Sequence, residues 1–106
     1  MPEKKEISLL DPRIRLRHLN CFIETSKQGS LTGAAKALKI SQPAASKTIR
    51  ELERVLGCPL FDRSGRQLSL NPAGKVFQER VTAGLNELEH AQIEVRRLAA
   101  GGSLSD

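Results

Sequence analysis

One long helix near the carboxyl end constrains the fold of this chain more than any other feature. Asn71 is a good helix N-cap, and Pro72 suits the first helical position, where a missing N–H costs nothing. The helix can continue to about Ala100, where Gly101-Gly102 stops it. Its length of roughly 28 residues is more than twice that of a typical globular helix. Such a helix needs a partner that buries its apolar face.

The apolar face of this helix has the spacing of a coiled-coil seam. Apolar or small residues recur in alternating steps of four and three. The seam residues are Phe77, Val81, Gly84, Leu88, Ala91, Val95 and Leu98, and Leu85 widens the stripe. At about 1.5 Å per residue the helix is about 40 Å long, too long for three short helices and a hairpin to cover. We therefore predict dimerisation with a second copy, the alternative being a helix that lies on its own domain.

Three shorter helices and a hairpin precede the long helix. Helix 1 is predicted from about Ile14 to Lys27, helix 2 from Leu31 to Leu38 after the N-cap Ser30, and helix 3 from Gln42 after the N-cap Ser41. Gly57 ends helix 3. Two strands at 60–63 and 67–70 flank the turn Ser64-Gly65-Arg66.

The order of these elements predicts a mainly α protein. Its class is a winged helix-turn-helix, with three helices and a two-stranded wing, followed by a long dimerising linker helix. The predicted parts are a flexible arm at 1–12, the winged domain at 13–71 with the helix-turn-helix at about 31–50, the linker helix at 72–100, and a flexible tail or hinge at 101–106.

Positive charge is concentrated in the predicted winged domain. Twelve of the 17 Lys and Arg residues lie between Arg13 and Lys75, against four of the 12 acidic residues. A basic block of this kind is expected where a surface meets a polyanion such as nucleic acid. A soluble basic surface without any partner is the alternative that charge alone leaves open.

The outer face of helix 3 carries the residues that we expect to read DNA bases. With Ala45, Ile49 and Leu52 turned inward, the opposite face presents Gln42, Pro43, Ser46, Lys47 and Arg50. Gln can bond adenine, Lys and Arg can bond guanine, and Ser can bond either donors or acceptors. A solvated polar face is the alternative, which the basic block and the hairpin disfavour.

Four further residues are candidates for contacts with the DNA backbone. Thr32 lies at the start of helix 2, where free N–H groups and the helix dipole attract phosphate. Arg63 and Arg66 lie on the wing and could reach the backbone or a narrow minor groove, although Arg63 could instead pair with Asp62 or Glu53. Arg17 of helix 1 could also face a phosphate, whereas His18 is expected to pack or to cap locally.

Other classes of protein have little support in this sequence. Two Cys and two His residues suit neither a disulfide framework nor a zinc site, and no phosphate-cradling Gly loop or paired carboxylates indicate an enzyme. A coiled-coil interaction protein shares the predicted dimer but not duplex binding. No apolar run is long enough to span a bilayer and no secretory signal is visible, so a cytoplasmic location is expected.

An ordered set of motifs resembles a known family. These are Leu16-Arg17-His18-Leu19, Ser30-Leu31-Thr32 with Ala34-Ala35, Ser41-Gln42-Pro43-Ala44-Ala45-Ser46-Lys47, Leu52-Glu53, Leu56-Gly57 with Pro59-Leu60-Phe61 and Arg63, and Leu70 with Pro72 and Gly74. Together they resemble the DNA-binding domain of LysR-type bacterial transcriptional regulators over about residues 14–75, and to about residue 99 with the linker helix.

The resemblance carries functional expectations. It implies dimerisation, often a tetramer in the complete protein, double-stranded operator DNA with a dyad site as partner, and RNA polymerase as a candidate partner. It implies no cofactor in this fragment and a small-molecule effector that binds a further C-terminal domain. The family's base contacts map onto Gln42, Pro43, Ser46, Lys47 and Arg50, and its wing contacts onto Arg63 and Arg66. The stretch Ser41–Glu53 is also similar to regulators of aromatic-acid catabolism.

Overall fold

The described part of the chain consists of four helices and one hairpin. A computed structural model describes residues 10–65 and 67–101. The elements in order are α1 (Leu16–Gln28), α2 (Leu31–Leu38), α3 (Gln42–Leu56), β1 (Phe61–Ser64), β2 (Gln67–Leu70) and α4 (Pro72–Ala99). The predicted winged helix-turn-helix with a long final helix is thereby confirmed. Arg66 and most of the predicted arm and tail lie outside the described residues.

Side-chain caps start three of the helices where the sequence predicts them. Ser30 Oγ accepts the N–H of Gly33 at 3.0 Å, and Ser41 Oγ accepts that of Ala44 at 3.1 Å. Asn71 Oδ1 accepts the N–H of Gly74 at 2.7 Å. Each cap satisfies an N–H group that has no partner inside its helix, so the local sequence alone fixes these three starts.

The start of α1 differs from its prediction. The sequence predicts the helix from Ile14, but it begins at Leu16 and ends at Gln28. Arg15 is the extended N-cap residue, and its N–H is accepted by Nδ1 of His18 at 2.9 Å. Ile14 is buried in the turn before the helix, where its N–H bonds to the carbonyl of Asp11.

The turn between α2 and α3 contains no glycine. Lys39 adopts the left-handed conformation there, with a φ of 60°, and it is the only non-glycine residue with positive φ in the described ranges. The N–H of Lys39 bonds to Lys36 O, and the next N–H, of Ile40, bonds to Ala35 O. The chain therefore closes α2 and starts α3 within three residues.

The core lies between α1, α2, α3 and the start of α4. Phe22 is fully buried, and its ring lies 5.5 Å from that of Phe61 and 5.2 Å from that of Phe77. Leu52 from α3 and Leu60, just before β1, are also fully buried. These aromatic and aliphatic contacts hold the hairpin and α4 against the three-helix unit.

The hairpin is tied to the helices at both sides of its base. Its strands are antiparallel, with Ser64 paired to Gln67, so β1 is shifted by one residue from the predicted 60–63 and the loop has two residues. The N–H of Leu68 bonds to Gly29 O at 2.9 Å. On the other side Glu53 Oε2 accepts the N–H of Leu60 at 2.7 Å. These bonds fix the position of the wing relative to α3.

Hydropathy gives one further result. Within residues 10–65 and 67–101, no helix combines the length and the apolar character that crossing a bilayer requires.

Candidate nucleic-acid interface

The two faces of α3 divide as their sequence predicts. Ala45, Ile49 and Leu52 face the core, with no more than 5% of any of them exposed. The side chains on the other face reach solvent: Gln42, Pro43, Lys47 and Arg50 are exposed and Ser46 is half-buried. Pro43 suits the first turn of the helix, where no N–H is needed, and Ser41 caps the same turn.

Residues from three elements surround the exposed side of α3. One hollow is bordered by Thr32 of α2, Gln42 of α3 and Arg63 of β1. An adjoining hollow is bordered by Ser46, Arg50 and again Arg63. We call the surface formed by Thr32, Gln42, Ser46, Arg50 and Arg63 the concave face. It brings together five of the nine residues that the sequence nominates for DNA contact.

Arg50 and Ser46 contact each other on the concave face. Arg50 Nη1 donates to Ser46 Oγ at 2.6 Å, one helical turn away. Arg63 is exposed on β1, and it forms no ion pair with Asp62 or Glu53 among the residues described. The carboxylate of Glu53 instead bonds the backbone of Leu60, so the guanidinium of Arg63 stays available to a ligand.

Arg17 lies on the other flank of α3, away from the concave face. Its Nη2 lies 3.3 Å from Glu51 Oε1. Together with Ala44 and Thr48 it lines a separate hollow between α1 and α3. The structure therefore groups Arg17 with Glu51 rather than with Thr32 or Arg63.

A buried histidine links α1 to α3 at this flank. His18 is 3% exposed, and its Nδ1 accepts the N–H of Arg15. The proton of the neutral ring is then on Nε2, which donates to Glu51 Oε1 at 3.0 Å. His18 thus both packs and caps, as its sequence position suggests.

The environment of Glu51 favours its ionised form. The hydrogen bond from His18 lowers the pKa of Glu51, and the charges of Arg17 and Lys47 lower it further against the opposing effect of desolvation. The sequence did not single out Glu51. The i, i+4 spacing of Lys47 and Glu51 is visible in the sequence. The contacts of Glu51 with Arg17 and His18 are not, because α1 lies more than 30 residues away in the chain.

The proposed dimer seam divides into two parts. Phe77 and Val81 pack within their own domain: the ring of Phe77 contacts that of Phe22, and Val81 is 9% exposed. Leu85 is half-buried and Ala91 is exposed. Farther along α4, Leu88 is 65% exposed, Val95 64% and Leu98 49%. The structure thus leaves the distal part of the stripe uncovered within one copy of the chain.

Relatives of the chain were found among known sequences. The family model described as "Bacterial regulatory helix-turn-helix protein, lysR family" matches residues 16–75. The HTH-type transcriptional regulator PcaQ of Agrobacterium fabrum is 44% identical over 92 residues, which cover 87% of this chain and 30% of PcaQ. The Hca operon transcriptional activator HcaR of Escherichia coli is 36% identical over 85 residues, covering 80% of this chain and 29% of HcaR.

Solved structures with the same fold include complexes with DNA. The BenM_DBD/catB site 1 DNA complex matches with a TM-score of 0.80 and 33% identity, over 83% of this chain and 95% of that one. The CbnR_DBD-DNA complex matches with a TM-score of 0.75 and 32% identity, over 81% of this chain and 99% of that one.

The three helices, the hairpin and the exposed face of α3 define a winged helix-turn-helix protein. Since the family model covers more than half of the residues, the chain belongs to the LysR family of bacterial regulatory helix-turn-helix proteins. The resemblance predicted from the motifs is confirmed. The chain spans under a third of the length of the curated relatives that it matches.

Proposed function

We propose that this chain binds specific sequences of double-stranded DNA as the N-terminal part of a LysR-type transcription regulator. The observation that carries the proposal is the concave face, on which α3 presents polar and basic side chains between the start of α2 and the wing. α3 lies in the major groove, which admits a helix, and the wing lies on the backbone or in the minor groove.

The amino-terminal half of α3 reads the bases. Gln42, Ser46 and Arg50 follow one another at intervals of four residues, so they form one row along the helix. Gln42 suits adenine and Arg50 suits guanine. Pro43 and Lys47 lie beside this row, where an apolar ring can contact a thymine methyl group and an ammonium can contact guanine or a phosphate.

Contacts with the backbone fix the orientation of α3 on the duplex. Thr32 is exposed in the first turn of α2, where the helix dipole and the free N–H groups favour a phosphate. Arg63 and Arg66 supply the contacts of the wing. Arg17 approaches a phosphate on the opposite flank, beside Lys47. Such contacts position the protein but carry no sequence information directly.

Solved structures similar to this chain support the proposal. BenM_DBD and CbnR_DBD are both described as complexes with DNA, and both match this chain over four fifths of its length. A coiled-coil protein that does not bind duplex DNA is not expected to combine the same fold with a basic concave face. No enzymatic role is proposed, since the relatives reported above are transcriptional regulators.

Selection of bound duplexes from a random pool tests the proposal. The expected result is one enriched sequence with dyad symmetry, and an affinity for it that falls steeply with salt because neutralised phosphates release counterions. Arg63→Ala should weaken all duplexes alike and lower the slope of log K against log salt by about one. The matched control is Arg96→Ala, which removes the same charge from the far end of α4.

Two results would contradict the proposal. Equal affinity of the wild-type chain for selected and random duplexes would remove the sequence-specific function. If Arg63→Ala and Arg96→Ala had the same small effect, the concave face would not be the surface that meets DNA.

Dimerisation through α4 completes the proposed function. Residues 13–71 form the DNA-binding unit and residues 72–100 the linker helix. A second copy covers Leu88, Ala91, Val95 and Leu98 in the distal stripe. It also enters the apolar groove between α1 and α4, which Leu19, Phe77, Val81 and Leu85 line. Twofold symmetry then presents two α3 helices to the two halves of a dyad site.

The remaining parts of the proposal concern the complete protein. Because the matched segment covers only 30% of PcaQ, we place a small-molecule effector site in a domain outside this chain. The same proposal includes tetramer formation, contact with RNA polymerase, a cytoplasmic location and a role in aromatic-acid catabolism. To test the role in aromatic-acid catabolism, the regulated genes are identified by enrichment of bound DNA from cells grown with and without aromatic acids.

A further inference from the structure

The apolar groove between α1 and α4 lies where the described part of the chain begins. Its volume is about 430 Å³. Leu10, the first residue that the structure describes, borders this groove, and Arg80 is the only charged residue among the described ones that do so. The other bordering residues are Leu19 of α1 and Phe77, Val81, Gly84, Leu85 and Leu88 of α4. The segment that precedes Leu10 is therefore joined to the fold at an apolar surface.

The turn before α1 holds Leu10 at the groove. Asp11 Oδ1 accepts the N–H of Arg13 at 2.9 Å, and Asp11 Oδ2 accepts Nη2 of Arg13 at 2.8 Å. The carbonyl of Asp11 accepts the N–H of the buried Ile14 at 2.9 Å. The hydrogen bonds from Arg13 lower the pKa of Asp11 to about 2, so its carboxylate is ionised at neutral pH. Because Asp11 directly follows Leu10, these bonds fix the point from which the arm starts.

The sequence before this turn contains a short aliphatic segment. Four of residues 1–6 are charged, whereas three of residues 7–10, Ile7-Ser8-Leu9-Leu10, have large aliphatic side chains. An extended chain advances about 3.3 Å per residue, so residues 7–10 span about 10 Å. The groove follows α4 from Phe77 to Leu88, which is about 16 Å at about 1.5 Å per residue. The aliphatic segment is thus short enough to lie within the groove.

We propose that residues 7–10 dock in the groove of their own chain and compete there with the second copy of the dimer, an inference that rests on the dimer proposed above. Docking removes aliphatic side chains of the arm and of α4 from water, which is favourable. Because Leu10 joins the segment to the groove, its effective concentration there is high. The second copy needs the same surface, so the arm leaves when the dimer forms.

The groove is too small for both occupants. An α-helix with its side chains is about 10 Å across, so a helix of the second copy fills the space that the arm would use. If the arm covers the groove nine-tenths of the time, about one copy in ten is ready to pair. Since both copies must release their arms, the dissociation constant of the dimer then rises by about a hundredfold. The segment precedes residues 16–75, which the family model matches, so family membership does not imply this competition.

Sedimentation equilibrium of four proteins tests the competition. Deletion of residues 2–9 and the double change Ile7→Ser with Leu9→Ser should each lower the dissociation constant of the dimer by about tenfold to a hundredfold relative to the wild type. The matched control is Glu3→Ser with Lys4→Ser. It changes two residues of the same arm but keeps the net charge and the aliphatic segment, so the constant should stay the same.

A monomeric variant tests whether the arm lies in the groove. Val95→Glu weakens the dimer but leaves every residue that borders the groove unchanged. In this background, deletion of residues 2–9 should shift the NMR signals of the methyl groups of Leu19, Val81 and Leu85. The double change Ile7→Ser with Leu9→Ser should shift the same signals, whereas the charge-neutral control should not.

The possible failures are distinguishable. Groove signals that do not respond to the deletion overturn the inference and leave the proposed dimer intact. The same holds for a deletion that leaves the dissociation constant unchanged or raises it, because the arm would then not compete with the second copy. If the wild type and the deletion variant are both monomeric at every concentration, the dimer proposed above and the competition fail together.

Discussion

Nε2 of His18 donates to Oε1 of Glu51 over 3.0 Å and so joins α1 to the exposed helix α3. The two residues are 33 positions apart in the chain. The other ring nitrogen of His18 accepts the N–H of Arg15, so one buried side chain both starts α1 and holds a carboxylate of α3. Glu51 in turn pairs with Arg17 at 3.3 Å, and the charge of Lys47 acts on the same carboxylate.

We predict that this contact contributes stability that depends on pH. The pKa of Glu51 is lowered in the folded protein, first by the His18 bond and then by Arg17 and Lys47. A carboxyl group with a lowered folded pKa stabilises the fold fully above its unfolded pKa, and the contribution is lost as pH falls through the folded pKa. The advantage of the wild type over Glu51→Gln should therefore be constant near neutral pH and shrink below about pH 4.

Denaturant unfolding of both proteins between pH 7 and pH 3 measures this difference. Groups that titrate equally in both proteins cancel in the comparison. Glu24→Gln is a useful control, because Glu24 contacts charged and polar side chains of its own helix, Lys27 at 3.7 Å and Gln28 at 3.4 Å, and joins no second element. A difference between wild type and Glu51→Gln that stays the same at pH 3 would contradict the assigned role of the carboxylate.

A second prediction concerns Gly74, at the junction of α4 and the wing. A Cβ atom at this position would collide with the carbonyl oxygen of Leu60 and would lie 2.9 Å from Leu70 Cδ2. That carbonyl also accepts the N–H of Asn71, so the backbone there has little room to move. Gly74→Ala should destabilise the chain by roughly 1–3 kcal/mol, as overpacking does, although alanine favours helices.

The matched control for Gly74 is Gly84 in the same helix. Apart from its chain neighbours and the backbone of its own helix, no atom of residues 10–65 and 67–101 lies within 4 Å of a Cβ built at Gly84. At concentrations where the chain is monomeric, Gly84→Ala should be neutral or stabilising by up to about 1 kcal/mol. Thermal melts followed by circular dichroism compare the two variants, and equal effects would mean that close packing at Gly74 is unimportant.

The third prediction concerns the left-handed residue in the helix-turn-helix. Lys39 has a φ of 60°, a region that costs a residue with a Cβ about 1 kcal/mol. Lys39→Gly should therefore raise stability by roughly 0.5–1 kcal/mol. Gly57 has a φ of 83° with open space around it, so Gly57→Ala should lower stability by a similar amount. Urea denaturation midpoints that move in the same direction for both variants would contradict the conformational explanation.

Much of the fold was predictable because it is encoded locally. The starts of α2, α3 and α4 depend on Ser30, Ser41 and Asn71, whose side chains each cap the backbone N–H three positions further along the chain. The inward stripe of α3 follows from the helical period, so its exposed face could be nominated from the sequence. These signals need no information about the rest of the molecule.

The remaining features depend on contacts that the chain makes only after folding. The sequence predicts that α1 starts at Ile14, but the helix starts at Leu16 because His18 caps Arg15. Histidine is not a common capping partner, so this start had no clear signal in the sequence. Strand β1 lies one residue further along the chain than predicted, because its pairing with β2 extends to Ser64 and leaves a two-residue loop. Phe77 packs against Phe22 of its own domain, which shortens the free part of the seam, and this contact could not be predicted without the position of Phe22.

A fourth prediction concerns the two thiols. Cys58 is exposed, whereas Cys21 is 1% exposed and its Sγ donates to Ala45 O at 3.6 Å. Burial raises the pKa of Cys21, so its thiol stays protonated and unreactive. A disulfide-exchange reagent should modify one thiol quickly in the native protein and the second only on unfolding. Cys58→Ser should remove the fast phase, and a fast phase that persists would place Cys21 at the surface.

The fifth prediction tests the proposed dimer through α4. Leu88 and Val95 are more than 60% exposed in one copy of the chain, and they lie on the same stripe seven residues apart. Burying a leucine contributes about 1.5–3 kcal/mol, and twofold symmetry counts each substitution twice. Leu88→Glu or Val95→Glu should therefore weaken the dimer by at least about a hundredfold, as measured by sedimentation equilibrium.

Ile93 supplies the control for the dimer prediction. It is 46% exposed on α4, but it lies two residues from both Ala91 and Val95, about 200° around the helix from each. Ile93→Glu should leave the dimer intact. In DNA binding, Leu88→Glu should lose most of its affinity for a full dyad site but keep that of a single half-site, since α3 and the wing are unchanged. Equal weakening of the dimer by Ile93→Glu and Leu88→Glu would show that the stripe does not form the interface.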